Sequence, residues 1–134
     1  MNDFITQGVH HIGLTVSKLE ESAAFFTELL RWKEVKRNLD YPAIYVSDGT
    51  TLISLWQAKT APSSAFDKNR NIGLHHIAIA VSSQNTLNLL HEKLTQHDTP
   101  IEFAPELLGQ GPARHMMCHE PSGIRVEFIW QGNT

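Results

Sequence analysis

Gly8-Val9-His10-His11-Ile12-Gly13-Leu14-Thr15-Val16-Ser17 returns as Gly73-Leu74-His75-His76-Ile77-Ala78-Ile79-Ala80-Val81-Ser82, from 8 to 73, a shift of 65 residues in a chain of 134. A repeat at about half the chain length says that one supersecondary unit is present twice. After each histidine doublet the residues alternate. Ile12, Leu14 and Val16, like Ile77, Ile79 and Val81, take one side of a strand, and His11, Gly13 and Thr15, like His76, Ala78 and Ala80, take the other. The second histidine of each doublet thus belongs to a face of small residues, whereas His10 and His75 are expected on the apolar face.

Each strand runs into a helical pattern. Leu19, Ala23, Phe26 and Leu30 recur at helical spacing, and Ser17-Lys18-Leu19-Glu20 has the form of a capping box at the start. In the second copy Leu87, Leu90 and Leu94 make the stripe, and His97-Asp98-Thr99-Pro100 stops it. Short β-type runs follow, at 33–37, 43–46 and 51–57 and again at 101–104, 115–118 and 124–130. Each set closes with a hairpin, turning at Ser47-Asp48-Gly49 and at Glu120-Pro121-Ser122-Gly123. The fold class expected is therefore α+β, with paired βαβββ modules forming a curved mixed sheet around a metal-binding cavity. One domain, 1–134, would hold module 1 (about 8–57), a linker (58–72) containing Pro62, Ser63 and Ser64, and module 2 (73–131). A second long loop is expected over 105–112, around Gly109 and Gly111.

Composition excludes several function classes. At 41% hydrophobic and 19% charged the chain reads as an ordinary globule, able to bury about 68–70% of its unfolded surface without staples. A net charge of -3 without basic runs argues against nucleic acid or an anionic membrane as partner. Cys118 has no second cysteine to pair with, and Met1-Asn2-Asp3-Phe4 shows no signal-peptide pattern, so a cytoplasmic location is expected.

The candidate site comes from the small-residue face. His11 and His76 occupy equivalent places in two related units, and a metal ion needs a third ligand beside them. Glu127 is that candidate: in Arg125-Val126-Glu127-Phe128-Ile129-Trp130 the apolar Val126, Phe128 and Trp130 share one face and Glu127 points to the other. Two imidazoles and one carboxylate form a facial triad that leaves positions open for substrate, water or oxygen. Ser54 corresponds to Glu127 in the first copy and is a poor ligand. One of Arg114 and His115, after the glycine loop, is expected to face the site and hold an anionic substrate oxygen. His10 and His75 are read as packing residues or as partners that hydrogen-bond the ligands. Met116, Met117, Trp56, Tyr41, Tyr45 and Trp130 are read as core or pocket lining, His91, His97 and His119 as surface groups, and Cys118 as an inert strand residue.

These features together resemble the vicinal oxygen chelate superfamily, which holds glyoxalases, extradiol dioxygenases, epimerases and the bleomycin and fosfomycin resistance proteins. The resemblance covers nearly the whole chain. It rests on the paired βαβββ order, on His-Ile-x-Leu/Ile-x-Val at both repeat starts, and on Glu-Pro-Ser-Gly-Ile-Arg-Val-Glu-Phe at 120–128, similar to the family's Asp-Pro-Asp-Gly-x-x-x-Glu ending. It implies that His11, His76 and Glu127 are metal ligands. It also implies a homodimer in which His11 of one chain can join His76 and Glu127 of another. The chain departs from glyoxalase I at Ser54, where that enzyme has a carboxylate or amide.

The function expected is a divalent-metal-dependent enzyme of the glyoxalase-like lyase or isomerase type, acting on a small metabolite chelated through adjacent oxygens. Its single ion would be iron, manganese, nickel, zinc or cobalt, Glu127 its base and His115 a second catalytic group. An extradiol-type ring-cleaving dioxygenase, a metal-dependent antibiotic-resistance transferase and a non-catalytic drug-binding protein are the alternatives.

Overall fold

The computed structural model describes residues 3–60 and 64–132. Pro62 and Ser63, in the expected linker, lie outside the described residues. The chain divides into two compact units, Met1–Ser63 and Ser64–Thr134. The first contains β1 (Ile12–Val16), α1 (Leu19–Ala24), a π-helical turn (Phe25–Leu29), β2 (Lys33–Asn38), β3 (Ala43–Ser47) and β4 (Leu52–Gln57). The second contains β5 (Ile77–Ala80), α2 (Gln84–Gln96), β6 (Ile101–Leu107), β7 (Arg114–His119) and β8 (Arg125–Trp130). Each unit forms a four-stranded mixed sheet, ordered β1-β4-β3-β2 in one and β5-β8-β7-β6 in the other. The first strand of each runs parallel to the last, and the remaining pairs are antiparallel. The fold is α+β, as the repeated pattern requires.

Burial follows the alternation. Leu14 and Val16 are buried and Gly13 and Thr15 exposed on β1, while Ile77 is buried and Ala78 and Ala80 are exposed on β5. Leu87 and Leu94 of α2 are fully buried, and the helix packs on β6, β7 and β8. Ser83 caps α2 by accepting a hydrogen bond from the Thr86 N–H at 3.0 Å. The two hairpins turn where expected. Asp48 Oδ1 accepts from the N–H groups of Thr50 and Thr51, and Glu120 Oε1 accepts from those of Ser122 and Ile124. Gly49 and Gly123 take the positive φ, 93° and 90°, that these turns require.

Four expectations are corrected. The capping box does not form: Lys18 is the N-cap residue, with no side-chain cap bond, and the Leu19 N–H instead donates to Gln57 Oε1 at 3.1 Å. Gln57 returns from β4 and also donates to the Ser17 carbonyl, so a neighbouring strand caps this helix. The first helix widens after Ala24 into a π turn, with Leu30 N–H donating to Phe25 O. Phe25 and Phe26, adjacent in sequence, are both buried there, and Phe26 packs on Trp32. The loop expected from Pro105 begins later, because β6 runs to Leu107. Pro105 is tolerated there because β6 is an edge strand and the ladder is irregular between Phe103 and Glu106. Finally, His10 and His75 precede β1 and β5 and are exposed rather than part of an apolar face.

Candidate metal centre

In the second unit the register places Glu127 of β8 beside Ala78 of β5 and Met117 of β7. Its neighbours Val126 and Phe128 are buried in the opposite direction, so strand alternation directs one carboxylate away from the apolar core. The residue is nevertheless 8% exposed, and a buried carboxylate needs partners. It has two. His115 Nδ1 lies 2.5 Å from Oε2, and His76 Nε2 lies 3.2 Å from Oε1. His115 shares the Glu127 face of β7, stacks against Phe103 with ring centroids 4.8 Å apart, and places Nε2 3.9 Å from Glu106. Arg114, one step along, falls on the other face; its Nη2 donates to Pro105 O at 3.5 Å, and its Nε is buried without a partner.

A chain of donors and acceptors reaches His76 from behind. Glu102 of β6 receives Arg125 Nη2 at 2.8 Å and Nε at 3.0 Å, and His119 of β7 joins it at 3.0 Å. These bonds hold the Glu102 carboxyl well below its ordinary range, at about 2, with the Arg125 bond the largest cause. Arg125 Nη1 then lies 3.1 Å from the His75 carbonyl and 3.0 Å from His75 Nδ1. His75 Nδ1 in turn lies 2.8 Å from His76 Nδ1. Desolvation first, and the Arg125 charge second, lower the pKa of His75.

The first unit repeats this plan with different chemistry. Ser54 pairs with Gly13 as Glu127 pairs with Ala78, which confirms their equivalence by register. Ser54 is buried, accepts a hydrogen bond from Trp56 Nε1 at 2.9 Å and points its hydroxyl toward Ile12 O at 3.5 Å. Trp56 is flanked by Tyr41 and Tyr45, so an aromatic cluster stands where the second unit carries its ionisable groups. His11 is exposed, with its Nδ1 3.0 Å from that of His10.

The donor set can be tested against a divalent ion. Two atoms each about 2.1 Å from one ion, at tetrahedral or octahedral angles, stand about 3.0–3.4 Å apart. The 3.2 Å between His76 Nε2 and Glu127 Oε1 fits such a shared edge. The 2.5 Å between His115 and Glu127 is too short for two ligands of one ion and describes a direct hydrogen bond. Among the described residues no three His, Cys, Asp or Glu side chains gather to hold an ion by themselves. Cys118 is buried, and burial first, then the Glu120 charge, push its thiol up to about 12, so no thiolate contributes.

Arg125 and Glu102 are site residues that sequence reasoning misses, and His119, expected at the surface, joins them through Glu102. Alternation alone puts Arg125 on the Glu127 face, a usable signal. The partnership with Glu102, 23 positions away, depends on strand order and leaves no local trace.

Two βαβββ units, one of them holding a buried carboxylate between two imidazoles, place the chain in a class of duplicated α+β scaffolds. The chain belongs to the Glyoxalase/Bleomycin resistance protein/Dioxygenase superfamily, whose family model matches residues 8–128. Among solved structures it is similar to a glyoxylase/bleomycin resistance protein/dioxygenase domain from Frankia sp. EAN1pec. The two share 26% identity with a TM-score of 0.82, over 94% of this chain and 93% of that one. It shares its fold with the fosfomycin resistance protein FosX from Listeria monocytogenes, at 15% identity and a TM-score of 0.74, over 94% of each chain. The same holds for a lactoylglutathione lyase from Agrobacterium tumefaciens, at 15% identity and a TM-score of 0.72, over 95% of this chain and 96% of that one. No curated protein compared with the chain matches it. No described helix is long and apolar enough to cross a membrane.

Proposed function

We propose that the chain is a divalent-metal-dependent enzyme of the glyoxalase-like lyase or isomerase type, acting on a small metabolite with two adjacent oxygens. One observation carries this reading. His76 Nε2 and Glu127 Oε1 face one another at 3.2 Å while the other polar atom of each side chain is already engaged, which makes a slot for a positive charge. His76 and Glu127 would be two ligands. His11, the counterpart of His76 in the repeat, would supply the third, either from the same chain or from a second copy in a homodimer.

A divalent ion supplies Lewis acidity that stabilises negative charge on a substrate oxygen. The chain's own residues do the rest. Glu127, fixed by the His115 hydrogen bond, takes a proton from the substrate carbon and returns it one atom away. With its Nδ1 proton committed to Glu127, the neutral His115 ring presents a lone pair at Nε2, which can accept a hydrogen bond from a substrate hydroxyl. Glu106, 3.9 Å from that Nε2, bounds the same space.

Turnover of hemithioacetals by protein loaded in turn with nickel, zinc, cobalt and manganese tests the reading. Glu127→Gln should lower kcat by about 100-fold or more, the usual scale for a lost general base. A second reading is favoured by Ser54, whose hydroxyl is committed to Trp56 and Ile12, leaving the first unit without a carboxylate. That set of two histidines and one glutamate also suits a ring-cleaving dioxygenase or an antibiotic-resistance transferase. Oxygen uptake on catechols with iron, and none on hemithioacetals, would replace the first reading by the dioxygenase. Absence of turnover in both assays would contradict an enzyme of either kind.

A further inference from the structure

The hydrogen bonds around His75 fix which nitrogen of the neutral His76 ring carries the proton. A guanidinium only donates, so Arg125 Nη1, 3.0 Å from His75 Nδ1, requires that nitrogen to accept. Nη1 has two hydrogens; the other reaches the His75 carbonyl at 3.1 Å, which fixes the direction of both. His76 Nδ1, 2.8 Å from the same His75 nitrogen, must then also donate, so that the single His75 lone pair is shared between two donors in a three-centre bond. Its proton on Nδ1 leaves Nε2 as the atom that presents a lone pair toward Glu127. Arg125 cannot swing away freely, since Glu102 grips it through two bonds and its side chain is only 12% exposed.

From this geometry we infer that Glu102, Arg125 and His75 form a relay that sets the tautomer of His76, so that Nε2 is held ready to ligate a cation beside Glu127. The inference rests on the metal reading only in its second half; the tautomer belongs to the chain itself. The relay exists in one unit. The first unit has the doublet, with His10 and His11 Nδ1 atoms 3.0 Å apart, but Leu52 takes the strand position of Arg125. Among the described residues no guanidinium contacts that doublet to dictate which ring donates. The two histidine doublets, alike in sequence, are therefore unlike in function: one is locked and the other is free to choose.

Long-range proton–nitrogen NMR of the metal-free protein, recorded well above the ordinary histidine range, reads the proton on each imidazole directly. Wild-type His76 should carry its proton on Nδ1. Arg125→Met and His75→Phe should each give a mixture of tautomers at His76 and leave His11 unchanged, and Arg125→Lys should restore part of the preference. His76 with an unprotonated Nδ1 in wild type, or an unaltered tautomer in both variants, would overturn the relay. Zinc titration separates the two halves. Arg125→Met should bind zinc about 10–100-fold more weakly than wild type, the scale of a lost ligand-orienting partner. Equal binding by the two would refute the relay's role in ligation. A wild type that binds no zinc would refute the metal reading while the NMR result still decides the tautomer.

Discussion

His115 and Ser54 show how single side chains divide the two units. His115 gives Glu127 a short, charge-assisted hydrogen bond in a site where an unpaired carboxylate would be poorly solvated. His115→Ala should destabilise the metal-free protein by about 1.5–3 kcal/mol in urea unfolding, the range for hydrogen bonds to charged groups. A change below about 0.5 kcal/mol would mean that Glu127 finds water instead and that His115 does not hold it. Ser54 stands at the matching register position but is absorbed by Trp56, so its burial is structural. Glu127 could be found in the sequence because a charged residue between Val126 and Phe128 breaks an apolar pattern. Arg125, a charge at the start of its strand, offers no such contrast.

Among elements, the clearest device is a strap across three strands. Glu102 on β6, His119 on β7 and Arg125 on β8 tie the edge of the second sheet to its centre. The Glu102 carboxyl is held at about 2 against an ordinary 4.5, so its contribution to stability is complete above the ordinary value and disappears as pH falls toward about 2. Glu102→Gln should therefore unfold more easily than wild type near neutrality, and the two should converge as the pH drops through that window. Parallel stability curves from pH 7 to 2 would show that the strap carries no weight. Elements built on local periodicity, such as α2 with Leu87 and Leu94, were legible in the sequence because burial and spacing there coincide. The π turn was not, because adjacent buried aromatics such as Phe25 and Phe26 also fit the wide apolar face of a regular helix. Nor was the Gln57 cap of α1, which comes from 38 residues away.

For the whole molecule, the repeat from 8 to 73 explains the two matched sheets, and divergence between the copies explains the chemistry. One unit keeps His76, Glu127 and His115 together; the other has an exposed His11 paired with His10, and an aromatic cluster around Trp56. The α+β fold and the family were readable because short motifs recur at a fixed spacing. Metal identity and substrate were not, since they depend on side chains from separate segments. His76 and Glu127 are proposed to share a divalent ion. Metal content of protein purified without chelator, followed by zinc and manganese titration, measures it directly. Wild type should hold one ion per site, and His76→Ala and Glu127→Gln should lose it while circular dichroism is unchanged. A wild type that binds no ion, or variants that bind as tightly as wild type, would contradict a shared ion.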